Sequence, residues 1–213
     1  MIQWVWERAR AAKKITRLLV ATDDKRIVDA VAKFGGEAVM TDPELPSGTD
    51  RVWAAAAGTK AEIILNIQGD EPLLPTKGLD TLVEGMRAGS SIRMGTLAVP
   101  MKSPQGFSER NTVKVVSDLE GWALYFSRSP LPGSKDGESV PAVWYKHIGI
   151  YGYRRELLQQ FVRWEPSALE KAEGLEQLRA LEHGVRIRVF DSPSDTMGVD
   201  TPDDVKRVER LLR

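Results

Sequence analysis

The chain has no cysteine among its 213 residues. That absence excludes disulfides, thiol nucleophiles and thiolate metal sites. Only two histidines occur, which excludes a histidine-rich transition-metal centre. Net charge is missing as well, since 30 basic residues balance 30 acidic ones. Nucleic-acid-binding surfaces ordinarily carry a basic excess, so this balance argues against one. No apolar run is long enough to span a membrane, and the start shows no signal-peptide pattern. The chain therefore reads as cytoplasmic. Internal repeats and low-complexity tracts are also lacking. What is present is an apolar content of 42%, which at this length is enough for one packed domain.

Helical spacing begins at once in MIQWVWERARAAKK, with Ile2, Val5, Trp6 and Ala9 on one side and no capping residue ahead of them. ITRLLVAT then has the β-branched and leucine content of a buried strand. In DDKRIVDAVAKFGG, Asp23 or Asp24 can cap a helix. Ile27, Val28, Val31 and Ala32 supply its stripe, and the Gly35–Gly36 pair stops it. EAVM is a short strand leading into a polar loop, after which Thr49 is placed to cap a helix over RVWAAAAG. EIILNI is a strand, 78–88 a helix and MGTLAVP another strand. TVKVVSD and WALYFSR, parted by 119–121, form a hairpin. Proline, glycine and serine crowd 129–142, which should be a mobile loop. WYKHIGIYGYR is strand-like, helices follow over 154–163 and 167–183, and VRIRVF is the last strand. Thr201 as N-cap, Pro202 at the first helical position and Asp204 in the first turn start a final helix. Alternating strands and helices predict an α/β fold: a mixed, mostly parallel sheet with helices on both faces and an antiparallel addition.

Ligands of open α/β sheets bind beyond the carboxyl ends of the strands. Three such ends carry acids here: Asp23–Asp24, Asp70–Glu71 in NIQGDEP (66–72), and Asp200. An aspartate just past a strand is often only the cap of the next helix, and Asp203 and Asp204 are read that way. Asp70 differs, because no helix starts at once. Gly69 allows a sharp turn and Pro72 fixes the exit. Rigid carboxylates without cysteine or clustered histidine suit a hard cation, most simply Mg²⁺, whose shell is completed by water and phosphate oxygens. That chemistry points to a nucleoside triphosphate.

The motifs VATDD, SGTDRV, NIQGDEP, TLAVP, ALYFSRSPLP, YKHIGIYGYR, LEKAEGLEQLRAL and GVDTPDD occur in this order. Together they resemble the 3-deoxy-manno-octulosonate cytidylyltransferases, also called CMP-Kdo synthetases, from residue 1 to residue 213. The resemblance implies a Rossmann-like nucleotidyltransferase domain spanning 1–213. It would carry an antiparallel sugar-binding and dimerisation part at about 110–155, to which the apolar 144–153 stretch could add. It implies transfer of CMP from CTP to the acid sugar Kdo, with release of pyrophosphate, for lipopolysaccharide synthesis by a homodimer. It assigns Asp70 and Asp200 to Mg²⁺, and Ser47, Gly48, Thr49 and Arg51 to the nucleotide. Gln68, His147, Tyr151, Glu176 and Gln177 would face the sugar, with Arg128 toward its carboxylate; Glu71 is not assigned as a ligand. Read without the resemblance, His147 is a satisfied structural residue, at least one of Tyr151 and Tyr153 is core, and Glu176 belongs to a solvated helix face. The same motifs leave room for a sister enzyme acting on 8-amino-Kdo, or for a truncated relative that only binds.

The family's opening strand and its A-R-x-x-S-x-R-L-P-G-K-P-L phosphate loop have no counterpart in this sequence. In that topology the strand lies between those at 17–22 and 62–67. These two strands are accordingly expected to face a gap, or a gap filled by another segment.

Overall fold

A computed structural model describes residues 1–135, 139–199 and 201–212. Helix α1 (Ile2–Arg10) precedes β1 (Leu19–Thr22), α2 (Lys25–Lys33) and β2 (Glu37–Met40). Next come α3 (Gly48–Ala56), β3 (Ile63–Asn66), α4 (Thr76–Ala88) and β4 (Met94–Met101). The hairpin strands β5 (Lys114–Ser117) and β6 (Ala123–Ser127) lead to the long β7 (Trp144–Arg154). The chain ends with α5 (Arg155–Phe161), α6 (Ala168–Glu173), α7 (Gln177–Glu182), β8 (Ile187–Asp191) and α8 (Pro202–Leu212).

Two boundaries moved for identifiable reasons. The cap of α3 is Ser47, whose side chain accepts from the Asp50 amide, and not Thr49, which is buried in the helix's first turn. The helix expected over 167–183 is two helices, because Gly174 takes a left-handed conformation (φ 63°) that ends α6. For α2 the choice falls on Asp24, whose carboxylate accepts from the Arg26 amide; its expected stripe residue Ala32 is exposed.

β1 and β2 pair in parallel as a sheet of their own. The other sheet has the order β6-β5-β7-β4-β8, with β3 also paired to β7. β7 runs opposite to β3, β4 and β5, while β8 is parallel to β4. So β3, β4, β5 and β8 share one direction, yet among the described residues β4–β8 is the one parallel pairing in this sheet. The antiparallel strand is inserted in the middle rather than added at an edge. One edge of β7 is covered by β4; the other is shared by β5 near residues 145–146 and β3 at 151–154.

Alternation along β7 feeds two cores. Tyr151 and Tyr153 join Phe126, Leu157, Phe161 and Leu178 on one face, whereas Ile148 and Ile150 meet Val5, Leu79, Leu82 and Met86 on the other. The 144–153 stretch is thus largely buried within its own fold, with Trp144 1%, Ile148 1% and Tyr153 1% exposed. The expectation that it adds to a dimer interface does not hold for those side chains.

β1 and β3 do not pair with each other; among the described residues each has one strand partner, β2 and β7 respectively. Between them lies a cavity of about 770 Å³ lined by Leu19, Ala21, Val52, Ile64 and Leu65. The expected gap is therefore observed.

Candidate active site

The site grows from strand ends. β3 leaves the sheet at Asn66, and the following Gln68 and Gly69 line the cavity mouth beside Gly48 at the start of α3. A Cβ at Gly48 would sit 3.8 Å from Gln68 Oε1, so the bare backbone of this helix start lies against the β3 turn. Ser47 both caps α3 and donates its hydroxyl to Asp50 (2.6 Å). Arg51 is fastened to the ends of β1 and β2. Its guanidinium pairs with Asp23 (2.9 Å) and donates to Thr41 Oγ1 (2.6 Å) and to the Asp42 carbonyl (3.3 Å). Asp23 is thus the partner of Arg51 and leaves capping to Asp24.

Thr49 takes a place that its sequence neighbours do not suggest. It is 2% exposed, and its hydroxyl donates to Glu176 Oε2 at 2.5 Å across a separation of 127 residues. Gln68 Nε2 donates to Asn66 Oδ1 (3.2 Å), and Asn66 Nδ2 donates to Thr49 (3.1 Å). Gln68, Thr49 and Glu176 are therefore brought together. Tyr151 stands over the same wall, and burial pushes its hydroxyl pKa well up. Gln177, 3% exposed, keeps a buried side-chain nitrogen with no partner among the described residues.

His147 packs between Phe126, edge-on with 5.0 Å between ring centres, and the tilted ring of Tyr151 (5.4 Å). Its Nε2 lies 3.0 Å from Thr96 Oγ1, and burial drives its pKa down to about 3. It is thus a neutral imidazole, suited to hydrogen bonding and not to carrying charge. Arg128 donates to the carbonyls of Glu173, Arg110 and Gly174. Three of its five N–H donors are so occupied, leaving two without a partner among the described residues. The carbonyl of Arg128 in turn accepts from the fully buried Lys114 (2.6 Å).

Asp70 is exposed, and its carboxylate accepts no hydrogen bond among the described residues. Its carbonyl accepts from the amide of Val199 (2.9 Å), which brings the segment before α8 to the β3 turn. Glu71 is half-buried and accepts the Thr196 hydroxyl (2.5 Å). Burial, aided by the neighbouring Asp70 charge, raises its pKa. Lys146 ties the same loop down through Asp195 (2.8 Å) and the Thr196 carbonyl (2.9 Å). Asp200 lies outside the described residues. No group of three or more potential metal-ligating acids or histidines occurs among the described residues.

A profile for the cytidylyltransferase family matches residues 1–187. A 3-deoxy-manno-octulosonate cytidylyltransferase of Pseudomonas fluorescens is 49% identical over 100% of this chain and 87% of its own length. This chain belongs to that cytidylyltransferase family. The family member of Geobacter sulfurreducens is 46% identical over the whole chain and 89% of its own length. The solved structure of a CMP:2-keto-3-deoxy-manno-octonic acid synthetase complexed with CTP superposes with a TM-score of 0.92. It is 42% identical, covering 99% of this chain and 86% of that one. A 4-diphosphocytidyl-2C-methyl-D-erythritol synthase from Anaerococcus prevotii, at TM-score 0.63 and 15% identity, shares the fold alone. The Rossmann-like nucleotidyltransferase fold expected from the sequence is thus borne out. Among the described residues no helix is long and apolar enough to cross a membrane.

Sequence reading missed Asn66, Thr96, Lys146 and Thr196. Asn66 had a signal, being the one polar residue in the strand Ile63–Asn66. Thr196 had none, because its partner lies 125 residues away.

Proposed function

We propose that this protein transfers CMP from CTP to the anomeric hydroxyl of 3-deoxy-manno-octulosonate, with release of pyrophosphate. The reading is carried by one observation: the start of α3 and the start of α7 meet through the Thr49–Glu176 hydrogen bond. A nucleotide-side loop and an acceptor-side helix are thereby held at one crevice. The 42–49% identity to cytidylyltransferases acting on this sugar supports it.

Attack of a sugar hydroxyl on the α-phosphorus, in line with the departing pyrophosphate, needs positioning and charge neutralisation more than covalent catalysis. The backbone of 47–49, with Arg51 behind it, would hold the nucleotide. Gln68, Glu176 and Gln177 would take the sugar hydroxyls, with Tyr151 and the neutral His147 forming the floor. The two remaining N–H groups of Arg128 would meet the sugar carboxylate. Asp70 fits a magnesium ion, since its exposed carboxylate has no donor on it among the described residues, and Asp200 would be its companion. When bound, the ion would offset the charge of the triphosphate. We place the reaction in the cytoplasm, where it would supply activated sugar for lipopolysaccharide synthesis, and we propose a homodimer.

The test is pyrophosphate release from CTP, Mg²⁺ and the acid sugar, with isolation of the CMP-sugar. Release that does not depend on the acid sugar would overturn the reading.

A further inference from the structure

A polar chain runs through the buried wall between the nucleotide loop and α7. Gln68 donates to Asn66, Asn66 to Thr49, and Thr49 to Glu176. Asn66 and Thr49 are each 2% exposed, so neither can offer much surface to a substrate. Buried polar groups cost stability unless satisfied, and an apolar residue at the end of β3 would pack more simply.

A threonine hydroxyl has one proton and two lone pairs. The Asn66 amide occupies a lone pair of Thr49, which directs the single proton to Glu176. Glu176 sits at the N-cap position of α7 but makes no side-chain cap bond there. Its carboxylate is thus held by Thr49 and not by its own helix. Its other oxygen, Oε1, accepts no hydrogen bond among the described residues. A carboxylate oxygen left free on a half-buried side chain is an acceptor that a sugar hydroxyl fits, because a hydroxyl can donate to it.

We infer that Asn66 and Thr49 are positioning residues that aim Glu176 at a hydroxyl of the acceptor sugar. This rests on the proposed function, in which Glu176 faces the acceptor.

Thr49→Val keeps the shape and deletes the hydroxyl, Thr49→Ser restores it, and Asn66→Asp sets two carboxylates in competition for one proton. Thr49→Val and Asn66→Asp should each raise the KM for the acid sugar about tenfold while changing that for CTP less than about twofold. Thr49→Ser should return both to within about twofold of the parent. A general packing defect would instead move both constants together and would not be rescued by serine; either result overturns the proposal. If Thr49→Val fails to fold, Asn66→Asp carries the kinetic test.

A measurement without substrate separates this inference from the transferase reading. The side-chain amide protons of Asn66 should be protected from hydrogen exchange in the parent and lose that protection in Thr49→Val. Rapid exchange in the parent would overturn the network. A parent with a protected Asn66 amide that releases no pyrophosphate with the acid sugar would overturn the transferase reading, and with it the aim we assign to Glu176.

Discussion

The backbone amide of Val199 donates to the carbonyl of Asp70 at 2.9 Å, although the two belong to segments far apart in the chain. The bond leaves the Asp70 side chain out of the fold's own hydrogen bonding: it is exposed, and no described donor reaches its carboxylate. Asp70→Asn should therefore leave the thermal midpoint almost unchanged, within the roughly 0.5 kcal/mol typical of surface substitutions. Pyrophosphate release should nevertheless fall by roughly 10²-fold or more, as expected for loss of a charged group in the site. A titration of rate against Mg²⁺ checks the role. Unchanged activity at millimolar Mg²⁺ would remove Asp70 from it.

Gln177 offers the opposite balance. Its buried amide nitrogen has no partner among the described residues, and such a group costs roughly 1–3 kcal/mol. Gln177→Leu should leave the melting temperature equal to the parent's or up to about 4 °C higher, given the usual conversion for a chain of this size. It should also raise the KM for the acid sugar about tenfold. Calorimetric melting and steady-state kinetics on the same preparation check both. A lowered melting temperature would mean that Gln177 is a structural residue.

His147 gives a pH prediction. Its pKa is about 3 in the folded protein because it is buried, against an unfolded value near 6.5. The unfolded chain takes up this proton first as pH falls. Stability due to the neutral imidazole is thus fully present above about pH 6.5 and is lost progressively toward pH 3, at up to about 1.4 kcal/mol per pH unit. Urea unfolding from pH 7 to pH 4 should show a shallower loss for His147→Gln than for the parent. Parallel curves would mean that the folded protein binds this proton as readily as the unfolded chain.

Much of this fold was legible because it rests on local signals. The stripe of α1, the hairpin over 119–121 and the Thr201 start of α8 are all written in neighbouring residues. Strand direction was not. The apolar run of β7 reads the same whether it lies at an edge or mid-sheet, and only its pairing with β3, β4 and β5 makes it central. In the candidate site, the acidic turn at Asp70 and the grouping of Glu176 with Gln177 were readable from motif. The inward turn of Thr49 was not, since its partner is brought up by tertiary packing. Arg51 and Arg128 were expected to face ligands. Both also make much of their hydrogen bonding with the protein itself, a competition that composition and spacing do not report.

The last prediction concerns β1. It is held by four register pairs with β2 and has no other strand partner among the described residues. Its remaining edge and that of β3 border the 770 Å³ cavity. By contrast, β4 is paired with β7 on one side and β8 on the other. A backbone group left dry and unpaired costs roughly 1–3 kcal/mol, so water or another extended segment should satisfy the bordering edges. A layer with water on one edge opens before the centre of the sheet does. The amides of Leu19–Thr22 should therefore exchange with solvent at least about 10²-fold faster than those of Met94–Met101, a difference of about 2.7 kcal/mol in opening free energy. Peptide-resolved hydrogen–deuterium exchange on the whole chain checks this. Equal protection of the two segments would mean that the β1 edge is covered in solution, and the β1–β2 layer would then count as part of one continuous sheet.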